Sequence, residues 1–196
     1  MGKIKSALEI ALERTESVKS DKDVIGLFEA KQKGKKLANE YLEGVIKSFE
    51  AELKKEPNAT IQKNLKQGIF DVLLSQISLP GAKEDLQRIG TAARGLSAVI
   101  GNKHFDEIVR QFSEIMNQYL NEAAQYEEAI KRQYAPKLRQ KEEEISRRFG
   151  RQITIEPFQD PEFLAFYNQH LGALKENYQA AVEQVRDEAS RIFNDE

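Results

Sequence analysis

The chain contains no cysteine. That excludes a disulfide framework and every thiolate zinc site, and it fits a reducing, cytoplasmic setting. No stretch approaches the roughly 18 apolar residues that a bilayer-spanning helix needs. Net charge is scarce as well: 30 basic residues against 32 acidic ones leave −2, so the chain has no bulk attraction to nucleic acid or anionic lipid. Any such binding has to come from a local patch.

Histidine is also rare, with only two in the chain. A di-iron bundle places Glu three residues before His on two helices, whereas here Gly101 precedes His104 and Tyr167 precedes His170 at that spacing. The acidic run Glu142, Glu143 and Glu144 cannot converge on one cation, because successive helical residues point about 100° apart. No calcium loop of alternating Asp or Asn around a central Gly occurs. The sequence therefore predicts no metal site, no cofactor and no legible catalytic constellation. At the N-terminus Lys3 and Lys5 are followed by Glu9, Glu13 and Arg14, which interrupt any signal-peptide core. Met1, Gly2 and Ser6 match the loose N-myristoylation pattern.

What the chain does contain is helical periodicity. Hydrophobic residues make up 40% and charged residues 32% of its 196 positions, with only 5 prolines to interrupt helices, the balance of a folded helical protein with long solvated faces. Apolar residues at Ile4, Leu8, Ala11 or Leu12, Thr15 and Val18 predict a first amphipathic helix, which the polar SDKD stretch at 20–23 is expected to end. A second runs from Val24 through Phe28, Leu37, Tyr41 and Phe49 to Leu53, weakened by Gly34 and Gly44 and stopped by Pro57. A third spans Thr60 to Ile77 and ends at Pro80 and Gly81, and a fourth ends at Gly101 and Asn102.

Beyond residue 102 the pattern lengthens. Phe105, Ile108, Phe112, Ile115, Tyr119, Tyr126, Ile130, Tyr134 and Leu138 keep one phase through to Phe149, which predicts a very long helix kinked at Pro136. Residues 150–160 alternate like a strand but are too few for a sheet, so they read as a connector. Asp160 before Pro161 marks the start of a last helix running to Ile192. The expected fold is all-α, with negligible β: residues 1–101 form a helical base of about four helices, and 102–196 form a long antiparallel, coiled-coil-like hairpin.

The stretch RIGTAARGLSAVIG at 88–101 imitates a phosphate-binding loop in its glycine spacing, but Leu96 occupies the lysine position. The stripe Leu86, Ile89, Ala93, Leu96 and Ile100 runs straight through the glycines. The reading that remains is a helix-packing seam of small residues: Gly90, Ala93, Ser97 and Gly101. Two basic clusters stand out. Lys31, Lys33, Lys35 and Lys36 share one helix, and Arg147, Arg148 and Arg151 fall at the expected hairpin tip, where they could contact an anion or nucleic acid. Ile4, Leu8 and Leu12 offer a face that could dock on a partner.

Together these features point to a noncatalytic scaffold or adaptor that works through protein–protein contacts. Tyr119, Tyr126, Tyr134, Tyr167 and Tyr178 would leave an apolar stripe on the hairpin that earlier helices or a second copy must cover, so a homodimer is expected. The alternative is a nucleic-acid-associated protein using the arginine tip, and the third is an enzyme whose site periodicity does not reveal.

Overall fold

The computed structural model describes the backbone of residues 7–195 and the side chains of residues 24–195. Every regular element among the described residues is helical: α1 (Ala7–Leu42), α2 (Glu50–Lys54), α3 (Ala59–Ser75), α4 (Asp85–Ile100), α5 (Lys103–Phe149) and α6 (Pro161–Asp195), with a 3-10 turn at Pro157–Gln159. The protein is all-α. Its chain divides into two compact units. One holds the residues through Ile77 together with Thr91–Asn102, and the other holds Ser78–Gly90 with Lys103 onward.

In the first unit α1 runs unbroken through the SDKD stretch that was expected to end it. Ser, Asp and Lys cost a helix only tenths of a kcal/mol each, about 0.7 at most, and no Gly or Pro falls within those four residues to stop it. The helix ends instead at Leu42, earlier than the apolar pattern suggests. Gly44 takes φ 77°, Val45 N–H reaches back to the Glu40 carbonyl at 2.8 Å and Gly44 N–H to that of Tyr41 at 3.1 Å. This double closure needs a left-handed residue, and glycine adopts that conformation without steric cost. The expected second helix is thus shared between the end of α1 and the short α2. The Gln62 amide donates to the Leu53 carbonyl at the C-terminal end of α2, while Phe49 buries its ring against Tyr41, centroids 4.7 Å apart.

α1 and α3 form the main helix pair of this unit. A Cβ placed on Gly34 would overlap the Leu65 carbonyl oxygen and stand 3.1 Å from the Gly68 Cα. One placed on Gly68 would overlap the Lys31 carbonyl oxygen. Backbone therefore meets backbone at this crossing, and each glycine aims a Cα–H at a carbonyl of the opposite helix, a weak hydrogen bond that recurs at tight helix crossings. Ala30, Leu37, Ala38, Leu65, Ile69 and Leu73 are buried in this unit. Asn58 caps α3, its Oδ1 accepting from Thr60 N–H at 2.9 Å and Ile61 N–H at 3.2 Å.

In the second unit α5 and α6 run antiparallel. Tyr134 of α5 meets Phe163 near the start of α6, centroids 5.3 Å apart, and Tyr119, earlier in α5, meets Tyr178, later in α6, at 5.2 Å. α5 is 47 residues long, about 70 Å at 1.5 Å per residue. It passes through Pro136 without a break. Pro136 and Arg132, whose carbonyl loses its helical donor to the proline, are both exposed, so water can satisfy that carbonyl.

Candidate functional site

The closing end of the hairpin collects more side-chain chemistry than any other described region. Gly150, at φ 63°, terminates α5, and the chain then turns back along it. Ile153 and Ile155 are half-buried while Thr154 and Glu156 are exposed, so the strand-like alternation of the sequence serves a single extended segment lying on a helix. With no neighbouring strand, its inward N–H groups find side chains instead: Ile153 N–H donates to Ser146 Oγ at 2.9 Å and Ile155 N–H to Glu142 Oε1 at 2.8 Å. The two acceptors are one helical turn apart on α5, matching the two-residue repeat of the extended chain.

The 3-10 turn that follows places Phe158 edge-on against Phe163 and Tyr167, at 5.2 and 5.3 Å, with the Lys131 ammonium 5.4 Å above its ring. Next comes Asp160, which is 5% exposed. Its Oδ1 caps α6 by accepting from Glu162 N–H at 3.0 Å. Lys141 donates to both carboxylate oxygens, at 2.9 and 2.7 Å, and Tyr134 Oη donates to Oδ2 at 3.2 Å. Lys137 and Lys141 also reach Glu162, at 2.7 and 3.1 Å. Burial pushes the Asp160 carboxyl up, but the hydrogen bonds from Lys141, Glu162 N–H and Tyr134 outweigh it and hold the group below its ordinary value. Lys141 is raised above the usual lysine range, chiefly by its bond to Asp160. Tyr134 is raised by burial first and by Asp160 second. This network, buried at Asp160 and Tyr134 and open to solvent at Lys137 and Glu162, fastens the start of α6 to α5.

Beside it a groove of about 550 Å³ runs between the last turns of α5 and the connector. Arg139, Glu142, Glu143, Ser146, Arg147 and Arg151 line it, with Gln152 and Thr154. Of the three arginines singled out by sequence, Arg147 and Arg151 meet here, while Arg148 points from α5 elsewhere and is exposed. Arg139 joins them although the sequence reading passed over it. Its signal was present: Arg139, Glu143 and Arg147 repeat every four residues on one helical face. Glu143 pairs with Arg147 at 3.7 Å as its spacing predicts, and Lys131 takes both Glu127 and Glu128, at 2.6 and 3.6 Å. The three glutamates of the acidic run go separate ways, Glu142 to Ile155 N–H, Glu143 to Arg147 and Glu144 to solvent.

The remaining candidates are dispersed. Of the small-residue seam, Ala93 is fully buried, Gly90 and Ser97 are half-buried, and Gly101 is exposed at φ 65°, with nothing within 4 Å of a built Cβ. Gly101 ends α4, its N–H bonded to the Ser97 carbonyl at 2.8 Å. Gly95 in the same stretch meets neighbours closely: a Cβ there would stand 2.8 Å from Leu73 Cδ1 and 2.9 Å from Tyr41 Cε1. The docking face Ile4, Leu8 and Leu12 lies outside the described side chains. Three of the four clustered lysines are engaged: Lys31 with Asp71 at 2.8 Å, Lys33 with Glu52 at 3.4 Å and Lys36 with Glu40 at 3.8 Å. His170 Nδ1 lies 3.0 Å from the Phe166 carbonyl, which can only accept, so the ring carries its proton there. His104 lines a second groove between α5 and α6 with Phe112, Val185 and Glu188.

Among the described residues no three of His, Asp and Glu stand close enough to hold a metal ion, and no helix is long and apolar enough to cross a membrane. No curated protein and no solved structure matches the chain. A family profile does, over residues 50–191, from the start of α2 almost to the end of α6, and by that match the chain belongs to the DUF6657 family, a family of unknown function.

Proposed function

We propose that this protein is a noncatalytic cytosolic scaffold that acts through protein–protein contacts and associates with itself. The observation that supports the reading is on α1. Val24, Ile25 and Phe28 are 62%, 56% and 62% exposed, a cluster of large apolar side chains within two turns. Ala30, Gly34, Leu37 and Ala38, which are buried, centre on a face about 140° away around the same helix, taking 3.6 residues per turn. Over its described side chains α1 thus carries two apolar faces, one buried and one exposed. A clustered apolar face on an otherwise charged helix marks an interaction surface.

The reason for self-association has moved from where the sequence placed it. Tyr119 and Tyr134 are buried and Tyr167 and Tyr178 half-buried, leaving only Tyr126 of the five exposed, so the hairpin stripe is largely covered within the chain itself. A second copy meeting α1 at Phe28 is the simplest closed arrangement that buries the remaining face. The experiment is multi-angle light scattering on the full chain and on Phe28→Lys. The expected result is a dimer that becomes a monomer in the variant with unchanged melting; a wild-type monomer across the accessible concentration range overturns the reading.

A further inference from the structure

The groove at the closing end of the hairpin has a composition that the fastening network beside it does not explain. Three arginines line it: Arg139 and Arg147, two turns apart on α5, and Arg151 from the connector. Arg139 and Arg151 have no ion-pair partner among the described residues, and Arg147 has only the long contact to Glu143 at 3.7 Å. Glu142 accepts the Ile155 N–H. The two bonds from the connector to Ser146 and Glu142 hold the walls of the groove in place before any ligand arrives, which lowers the ordering cost of binding.

We propose that this groove receives the acidic side chains of a partner polypeptide, an inference that rests on the scaffold reading and names the chemistry of its partner. Guanidinium forks match carboxylates in a planar two-bond geometry. Positive groups separated by the carboxylates of Glu142 and Glu143 suit a ligand whose negative charges are spaced along a chain and alternate with neutral residues. A nucleic-acid strand fits less well. Its continuous phosphates would meet both glutamates, and no aromatic side chain lines the groove for a base to stack on. The charge of the whole chain adds no attraction for either ligand, so binding depends on these three residues.

The test is fluorescence anisotropy on the full-length protein with two labelled probes, a Glu-rich peptide and a single-stranded oligonucleotide of equal net charge. The peptide is expected to bind at low salt and to weaken as salt rises. Replacing Arg139, Arg147 and Arg151 together with Ala is expected to weaken it about tenfold or more, while Arg148→Ala, outside the groove, changes it by less than about twofold. Absence of peptide binding at low salt overturns the proposal, as does a loss from Arg148→Ala equal to that of the triple variant, which would mean diffuse surface charge. Tighter binding of the oligonucleotide replaces it with a nucleic-acid site. None of these residues lies on α1, so a dimer that persists in light scattering while peptide binding fails removes only the groove assignment, and the scaffold reading stands or falls separately.

Discussion

Glycine residues in this chain do opposite things depending on what faces them. At Gly34 and Gly68 the missing side chain is the contact, because the carbonyls of Leu65 and Lys31 occupy the space a Cβ would fill. Backbone cannot move aside as a side-chain tip can, so Gly34→Ala or Gly68→Ala is expected to destabilise the protein by about 1–3 kcal/mol in urea unfolding. Gly172 in α6 is the contrast. Nothing lies within 4 Å of a built Cβ there and its φ is an ordinary one, so Gly172→Ala should stabilise by about 0.5–1 kcal/mol, the usual cost of glycine inside a helix. If both substitutions moved stability in the same direction, the backbone contact would not be what Gly34 is for. The sequence could register Gly34 only as a weak point in a helix. Its partner lies 34 positions away, and no local pattern announces that two glycines will face each other.

Helix ends were legible where chemistry marks them and illegible where only polarity does. Asp160 before Pro161 and Gly101 after α4 were readable because caps and left-handed residues have few substitutes, whereas Asn58, directly after Pro57, did not stand out as the cap of α3. The SDKD stretch misleads because polar residues on an exposed face do not stop a helix. Arg139 went unread for a related reason: a charged residue on a solvated helix acquires meaning only when the connector folds back beside it. Within α5, Pro136→Ala should restore an N–H to the Arg132 carbonyl and raise stability by up to about 3 kcal/mol, seen as a higher melting temperature with helicity unchanged or slightly higher. At the start of α6, Asp160→Ala removes a cap and is expected to cost about 1–2 kcal/mol from that source alone. The native Asp160 also carries a pH signature. Because its folded value lies below the ordinary carboxylate value, its contribution is complete above about pH 4 and is lost as pH falls toward the folded value. Asp160→Asn keeps an oxygen for the cap and cannot titrate, so the difference in stability between wild type and variant should shrink as acid is added; a constant difference would show that the charge contributes nothing.

On the scale of the whole molecule, the family match and the physical units do not share a boundary. The match begins at residue 50, whereas the first unit includes α1, which ends at Leu42. α3 is inside the matched region but its closest contact, the Gly68 crossing, is with α1. Without α1, α3 would lose the helix that crosses it at Gly34 and keep its contacts with α2 and, at Leu73, with Gly95 of α4, a small support for a 17-residue helix that is marginal in water by itself. The second unit has its own contacts, from Tyr134 with Phe163 to Tyr119 with Tyr178, and none of those side chains comes from α1. A chain beginning at Glu50 is therefore expected to lose amide hydrogen-exchange protection across α3 while keeping it at the α5 and α6 positions around Tyr134 and Phe163. Full protection of α3 in that shortened chain would mean that the glycine crossing is dispensable and that α1 contributes its exposed face alone. Loss of protection through α5 and α6 as well would mean that the two units unfold together. The predicted pattern, loss confined to the first unit, would make α1 both the support of α3 and the carrier of the Val24, Ile25 and Phe28 surface, so assembly through that surface would be coupled to the folding of the unit that presents it.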